Sequence, residues 1–383
     1  MPREGQTLPS QPPAPGTTRV IALDWMRGLV MVLMTVDHAS EMFNSGRFVT
    51  DAAFLYKPGT PLPVVQFLVR WMTHLCAPTF VFLAGTSLAL STWKRLKAGE
   101  SEASIDRSIL IRGLLVAALD PLWMSWAFTP GSILLQVLFA IGISFVCMVP
   151  LRRLRSSTLA CLGLGLMFLG EATIGGLTKF FGGSLPLPLA LLLSGGLFGK
   201  LIIGYPLLPW LAIMMLGWVF GRHLLRQQPA PKPGQWLRTG GVVALTIFAI
   251  VRGINGYGNL LLLRDDQSPL QWLHVSKYPP SLSFCALELG LMALLLSVLF
   301  RWQQRQNLNR SGLMLVLGQT AFFFYLLHGH LLLLAAWSLG ASHQRGLPET
   351  FIATAGVIGL LYPCCRWYRG YKTTHPNGWA RYI

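Results

Sequence analysis

The chain has 383 residues, 53% of them hydrophobic and 12% charged, with 31 Lys and Arg against 14 Asp and Glu and a formal net charge of +17. Soluble domains carry about 25% charged residues, so the composition excludes an ordinary soluble fold and points to lipid as the solvent. The basic residues cluster in short loops between apolar runs, as the positive-inside rule produces. No basic stretch with interleaved aromatics resembles a nucleic-acid surface, so nucleic acid is excluded as a partner.

Residues 1–18, rich in Pro, Gln, Ser and Thr, are expected to form a disordered cytoplasmic tail. The apolar run after Arg19 is too long for a signal-peptide core and reads as a retained first span. A membrane-crossing helix needs roughly 20 mostly apolar residues. Ten runs qualify: 20–42, 64–91, 108–128, 131–150, 157–176, 205–224, 237–256, 280–301, 312–336 and 348–366. The stretch 185–203 is apolar too, but Pro186, Pro188, Gly195, Gly196 and Lys200 interrupt it. It reads as a re-entrant or interfacial segment, with eleven spans as the alternative. With ten spans, 21 Lys and Arg fall on the side of the N-terminus and eight on the other, while Arg27 and Arg70 lie within spans. An eleventh span would spoil that bias. The expected fold is an all-α polytopic transmembrane helix bundle of about ten spans with both termini cytoplasmic. It comprises the tail 1–18, a membrane domain 19–368 and a C-terminal tail 369–383. The six cysteines have no zinc or disulfide spacing, and no metal is expected.

Ionisable groups inside spans are expensive and usually mark a functional path. The first span holds Asp24, Arg27, Asp37, His38 and Glu41; the second holds Arg70 and His74; later spans hold Asp120, Glu171, Glu288, His328 and His330. Asp24 and Arg27 are three apart and can pair on one helix face. Arg27 and His38 are eleven apart, so they share a face about 16 Å apart along the axis. Depth places His38, His74 and one of His328 or His330 in a layer in the outer half of the membrane. Neighbouring histidines serve as general bases, proton relays or metal ligands. "YPLLPW" (205–210) and "KYPPSLSF" (277–284) open spans from the outer side, where Lys277 and Tyr278 can meet a polar substrate, and Tyr325 shares a face with His328.

The stretches "ALDWMRGLVMVLMTVDHA", "HLCAPTFVFLAGTSLAL", "YPLLPWLAIMMLGWVFGR", "KYPPSLSF" and "FFFYLLHGHLL" together resemble the catalytic-domain family of heparan-alpha-glucosaminide N-acetyltransferase, over about residues 19 to 335. The spacing of Arg27 and His38 is also similar to the arginine–histidine signature of acyltransferase family 3. The resemblance implies transfer of an acyl group, expected to be acetyl, from cytoplasmic acyl-CoA to a sugar or glycan acceptor on the outer face. The expected setting is a bacterial inner membrane. The family's membrane histidine maps onto His38, with Asp37, His74 and His328 as the other candidate catalytic residues. Asp24, Arg27 and Gly28 are expected at the acetyl-CoA, and Lys277, Tyr278 and Tyr325 at the acceptor. A conduit along the first span is expected to carry the pantetheine arm to the histidines. The human lysosomal enzyme has a large lumenal domain that this sequence lacks, and the first outer loop differs. The partners expected are the lipid bilayer and the acceptor, with a homodimer left open. A transporter or flippase for a glycan or lipid-linked substrate, and a non-catalytic partner of an envelope enzyme, are the competing readings.

Overall fold

Ser101, Ser268 and Ser281 cap the starts of three helices by accepting backbone N–H groups, and prolines set several breaks. The computed structural model describes residues 20–226, 232–304 and 312–375; the N-terminal tail and the last eight residues of the C-terminal tail lie outside them. In chain order the elements are α1 (Ile21–Phe43), α2 (Val64–His74), α3 (Cys76–Lys97), α4 (Glu102–Leu119), α5 (Ser125–Phe128), β1 (Ile133–Leu135), α6 (Val137–Leu151), α7 (Ser156–Phe180), α8 (Leu187–Leu189), β2 (Gly196–Phe198), β3 (Leu201–Ile203), α9 (Leu207–Leu224), α10 (Pro233–Ile254), α11 (Pro269–Leu273), α12 (Leu282–Gln303), α13 (Leu313–Gln319), α14 (Ala321–Ser338) and α15 (Leu347–Thr374).

Among the described residues, eight helical segments are long and apolar enough to cross a membrane: 64–97, 102–128, α7, α9, α10, α12, α14 and α15. Two further predicted runs coincide with α1, which is 23 residues long but carries Asp24, Arg27, Asp37 and Glu41, and with α6, which is apolar and 15 residues long. The protein is thus an all-α polytopic membrane bundle. Successive long helices alternate in direction between a proximal face, where α1 begins, and a distal face, where it ends.

Proline sets the breaks. Pro78 lacks the N–H that would bond the His74 carbonyl, and the second span divides at Leu75 into α2 and α3. Pro121 falls in a wide π-type turn, Asp120–Met124, between α4 and α5. The apolar stretch 185–203 is a short helix, a second π-type turn and a β2–β3 hairpin. β3 pairs antiparallel with β2 and parallel with β1, with Ile133 opposite Leu201. This small sheet is backbone pairing that apolar periodicity alone does not reveal. α15 continues to Thr374, into the segment expected as a tail.

Glycines let key helices touch backbone to backbone. A Cβ on Gly28 would stand 1.9 Å from the Met314 carbonyl oxygen, and one on Gly318 would stand 1.8 Å from that of Asp24. Gly85 and Gly217 do the same between α3 and α9, at 2.2 Å from the Met214 oxygen and 2.0 Å from the Phe82 oxygen. Between lipid-solvated helices such close approach replaces the hydrophobic driving force. As a result α1 sits at the centre, against α2, α3, α12, α13, α14 and α15. By contrast α7 buries only Leu159 and Gly163 and faces outward.

Several polar groups at membrane depth have structural work. Asp120 Oδ2 accepts the backbone N–H groups of Gln136 at 2.8 Å and Phe139 at 2.7 Å, anchoring the start of α6. Glu171 accepts those of Gly258 at 2.6 Å and Leu260 at 3.0 Å. Arg252, fully buried, donates to the carbonyls of Leu262 (2.8 Å), Gln271 (2.5 Å) and His274 (2.7 Å) and fixes the loop before α12.

Candidate active site

The distal end of α1 forms one wall of a polar cavity of about 240 Å³. Its lining comprises Asp37, His38 and Glu41 from α1, Arg47, Val49, Asp51 and Leu55 from the following loop, Arg70, Gln136, Tyr205, Lys277 and Tyr278. The loop is held in place by two contacts to the segment before α12. Lys277 N–H donates to the Asp51 carbonyl at 2.8 Å, and His274 Nε2 donates to the Thr50 carbonyl at 2.6 Å. A larger cavity of about 600 Å³ lies between α1, α13 and α15, but it is almost wholly apolar and carries no acid, base or cation.

Arg70 is the centre of an ion-pair network. Its Nη1 reaches both Asp37 oxygens, at 2.6 and 2.7 Å, and its Nε and Nη2 reach Asp51 Oδ2 at 3.0 and 2.7 Å. Nη2 also donates to the Tyr278 hydroxyl at 3.3 Å. Arg47 bridges Asp37 and Glu41, at 3.3 Å each. His74 Nε2 donates to Asp51 Oδ2 at 3.0 Å. Burial alone would raise the Asp51 carboxyl, but Arg70 and the His74 hydrogen bond outweigh it and hold it well below the ordinary carboxylate range.

His38 and His328 meet across the α1–α14 interface, with His38 Nδ1 2.6 Å from His328 Nε2 and the rings stacked at 4.9 Å. His328 Nδ1 lies 2.7 Å from the Tyr325 carbonyl. A carbonyl only accepts, so His328 Nδ1 carries its proton and, in the neutral ring, Nε2 is the acceptor. It therefore receives the Nδ1–H of His38, which leaves the lone pair of His38 on Nε2. No hydrogen bond of the protein occupies His38 Nε2 among the described residues, and His38 lines the cavity. Phe128 sits edge-on to the His38 ring at 4.6 Å. The Tyr325 ring lies 6.4 Å from that of His38, and its buried hydroxyl has no partner among the described residues.

The predicted histidine layer thus divides. His38 and His328 touch. His74 is bound to Asp51 and joins His38 only through Asp51, Arg70 and Asp37. His330 turns to the opposite face of α14 and stacks on Trp123 at 4.3 Å. At the proximal end Arg27 pairs with Asp24 at 2.8 Å and donates to Ser87. Gly28, expected beside the acetyl-CoA, is the point where α1 meets Met314. The conduit expected along α1 is not open in this conformation. Arg27 does not line the cavity, and Val30, Met31, Met34 and Thr35 between the two ends are buried in packing.

The cavity also holds Gln136, Arg47 and Asp51, which sequence reasoning left aside. Gln136 was detectable as a single amide within the apolar run "ILLQVLF". Arg47 and Asp51 lie in a loop outside any span, where a search of membrane-depth charges does not look. Among the described residues no three His, Cys, Asp or Glu side chains converge to hold a metal ion.

The model of the family described as heparan-alpha-glucosaminide N-acetyltransferase, catalytic, matches residues 19–252, more than half of the chain. The match includes His38, Asp51, Arg70, Gln136 and Tyr205; Lys277, Tyr278, Tyr325 and His328 complete the site from beyond it. No curated protein gives a match. With its helical membrane bundle and the residues matched, the chain belongs to the heparan-alpha-glucosaminide N-acetyltransferase catalytic family of membrane transferases.

Proposed function

We propose that the protein moves an acetyl group from cytoplasmic acetyl-CoA to a hydroxyl or amine of a sugar or glycan acceptor on the opposite side of a bacterial inner membrane. The observation that carries the reading is His38 on the wall of a polar cavity, backed by His328 behind it, in a member of an acetyltransferase family. The His38 Nε2 lone pair takes the proton of the acceptor hydroxyl or amine as that group attacks the thioester carbonyl. When the carbon–sulfur bond breaks, His38 returns the proton to the departing thiolate, and the acyl group stays on the acceptor. His328 holds the tautomer and shares the positive charge while His38 is protonated. Asp37, next in sequence and fixed by Arg70, supplies negative charge beside the imidazolium.

The donor belongs at the proximal end. Arg27 and Ser87 are the groups suited to the CoA phosphates there. Arg112, on α4, stacks on Phe145 at 5.6 Å and makes no ion pair among the described residues, so it offers a second guanidinium. The packing around Val30, Met31, Met34 and Thr35 has to part for the pantetheine arm to reach His38, which makes transfer a gated step.

The test is acetyl transfer by purified protein in detergent, with labelled acetyl-CoA and a panel of amino and neutral sugars. Wild type releases CoA and labels a sugar, and His38→Ala loses at least about 100-fold in rate. Undiminished transfer by His38→Ala removes the assignment. Sugar movement across vesicles without CoA release supports a transporter instead.

A further inference from the structure

The polar groups of the cavity fall into two sets. Asp37, Glu41, Arg47, Asp51 and Arg70 satisfy one another, and every carboxylate in the lining already faces a guanidinium. The Lys277 ammonium, the Gln136 amide and the Tyr205 hydroxyl make no side-chain hydrogen bond or ion pair among the described residues, although all three line the cavity. Lys277 is 3% exposed, and its Nζ lies over the Tyr278 ring at 5.3 Å with no carboxylate within 4 Å. An ammonium that feels Asp37, Asp51 and Glu288 only through space, with no direct ion pair, is costly to bury. Were Lys277 only a packing residue, methionine would serve better.

The two neutral groups are held rigidly. The Gln136 backbone is fixed by Asp120, and the Tyr205 ring stacks on Trp210 at 4.5 Å and meets Tyr278 edge-on at 5.9 Å. All three groups donate hydrogen bonds, whereas no carboxylate in the lining is left unpaired to receive an ammonium from a ligand. The cavity, at about 240 Å³, is below the ~300 Å³ at which drug-sized pockets begin. It suits a single sugar ring.

We infer that this cavity binds an acceptor sugar that bears a carboxylate, docked on Lys277 with Tyr205 and Gln136 as flanking donors. That the sugar is acylated rests on the transferase reading above; the anion site does not. The charge selects among acceptors, while the acylated hydroxyl or amine faces His38.

The experiment compares glucose with glucuronate, and the same pair carrying a 2-amino group, as acceptors for acetyl-CoA in detergent. In wild type kcat/KM favours the carboxylated member by at least about tenfold. Lys277→Met collapses that ratio to about one, and Lys277→Arg retains part of it. Should Lys277→Met fail to fold, the wild-type ratio alone decides. A wild-type ratio of one or less, or a preference undiminished in Lys277→Met, overturns the inference and leaves the transferase reading standing. If no sugar is acylated, thermal melting decides. Stabilisation of wild type by glucuronate but not glucose, lost in Lys277→Met, supports the anion site while the transferase reading fails. No such stabilisation overturns the inference.

Discussion

Arg70→Met tests the network that builds the cavity. Arg70 is buried and makes five hydrogen bonds, four to carboxylate oxygens and one to Tyr278. Removing one partner of a buried ion pair destabilises by about 3–5 kcal/mol because the other charge stays buried. Here two carboxylates, Asp37 and Asp51, are left, so the loss belongs at the upper end of that range. The pH dependence has a definite sign. In wild type the Asp51 carboxyl is held well below the ordinary range of about 4. Its contribution is fully present above that range and is lost only as pH falls through its lowered native value. Between pH 5 and 8 this group therefore gives wild type no slope. Without Arg70, burial dominates and raises the carboxyl, so the variant loses stability as pH rises and is more stable at pH 5 than at pH 8. Equilibrium unfolding in mixed micelles at the two pH values reads both effects. The triple variant Arg70→Met, Asp37→Asn, Asp51→Asn recovers much of the loss, because no charge is stranded. A loss below about 1 kcal/mol, or a pH profile identical to wild type, would mean that Arg70 does not hold the two carboxylates.

Two further outcomes follow from the geometry. His328→Phe removes the acceptor that fixes the His38 tautomer and lowers kcat about 100-fold; His328→Gln, whose amide oxygen can take the same proton, recovers part of that, as steady-state CoA release shows. Gly28→Val places a side chain 1.9 Å from the Met314 carbonyl oxygen and prevents folding, whereas Gly165→Ala, with nothing within 4 Å, leaves melting unchanged or slightly higher.

Much of the architecture could be read from the sequence because lipid imposes a simple rule. A span must be long and apolar, and its backbone must satisfy itself. Nine of the ten predicted runs coincide with a helix or with two helices meeting at a break, and the run 131–150 holds β1 and α6. What the rule does not see is backbone pairing, so the β2–β3 hairpin within 185–203 and its pairing with β1 were not legible. The polar stripe of α1 was visible through the eleven-residue spacing of Arg27 and His38, and the pairing of Arg27 with Asp24 follows from helical geometry. Which histidine would meet His38 was not visible. His74, His328 and His330 all have a suitable depth, and only tertiary packing sends His74 to Asp51 and His330 to Trp123. Gly28, expected as a cofactor contact, also packs against α13. Its role depends on Met314, nearly 300 residues away in the chain. Asp51 and Arg47 escaped notice because a loop carries no periodicity.

The proposed transfer carries the acyl group across the bundle along α1, from the Arg27 end to the His38 end. Proteoliposomes of uniform orientation test it, with labelled acetyl-CoA confined to the proximal side and acceptor sugar to the distal side. Acetylated sugar is expected on the distal side and CoA on the proximal side, and neither with His38→Ala. Product formed only when donor and acceptor share one compartment would contradict it.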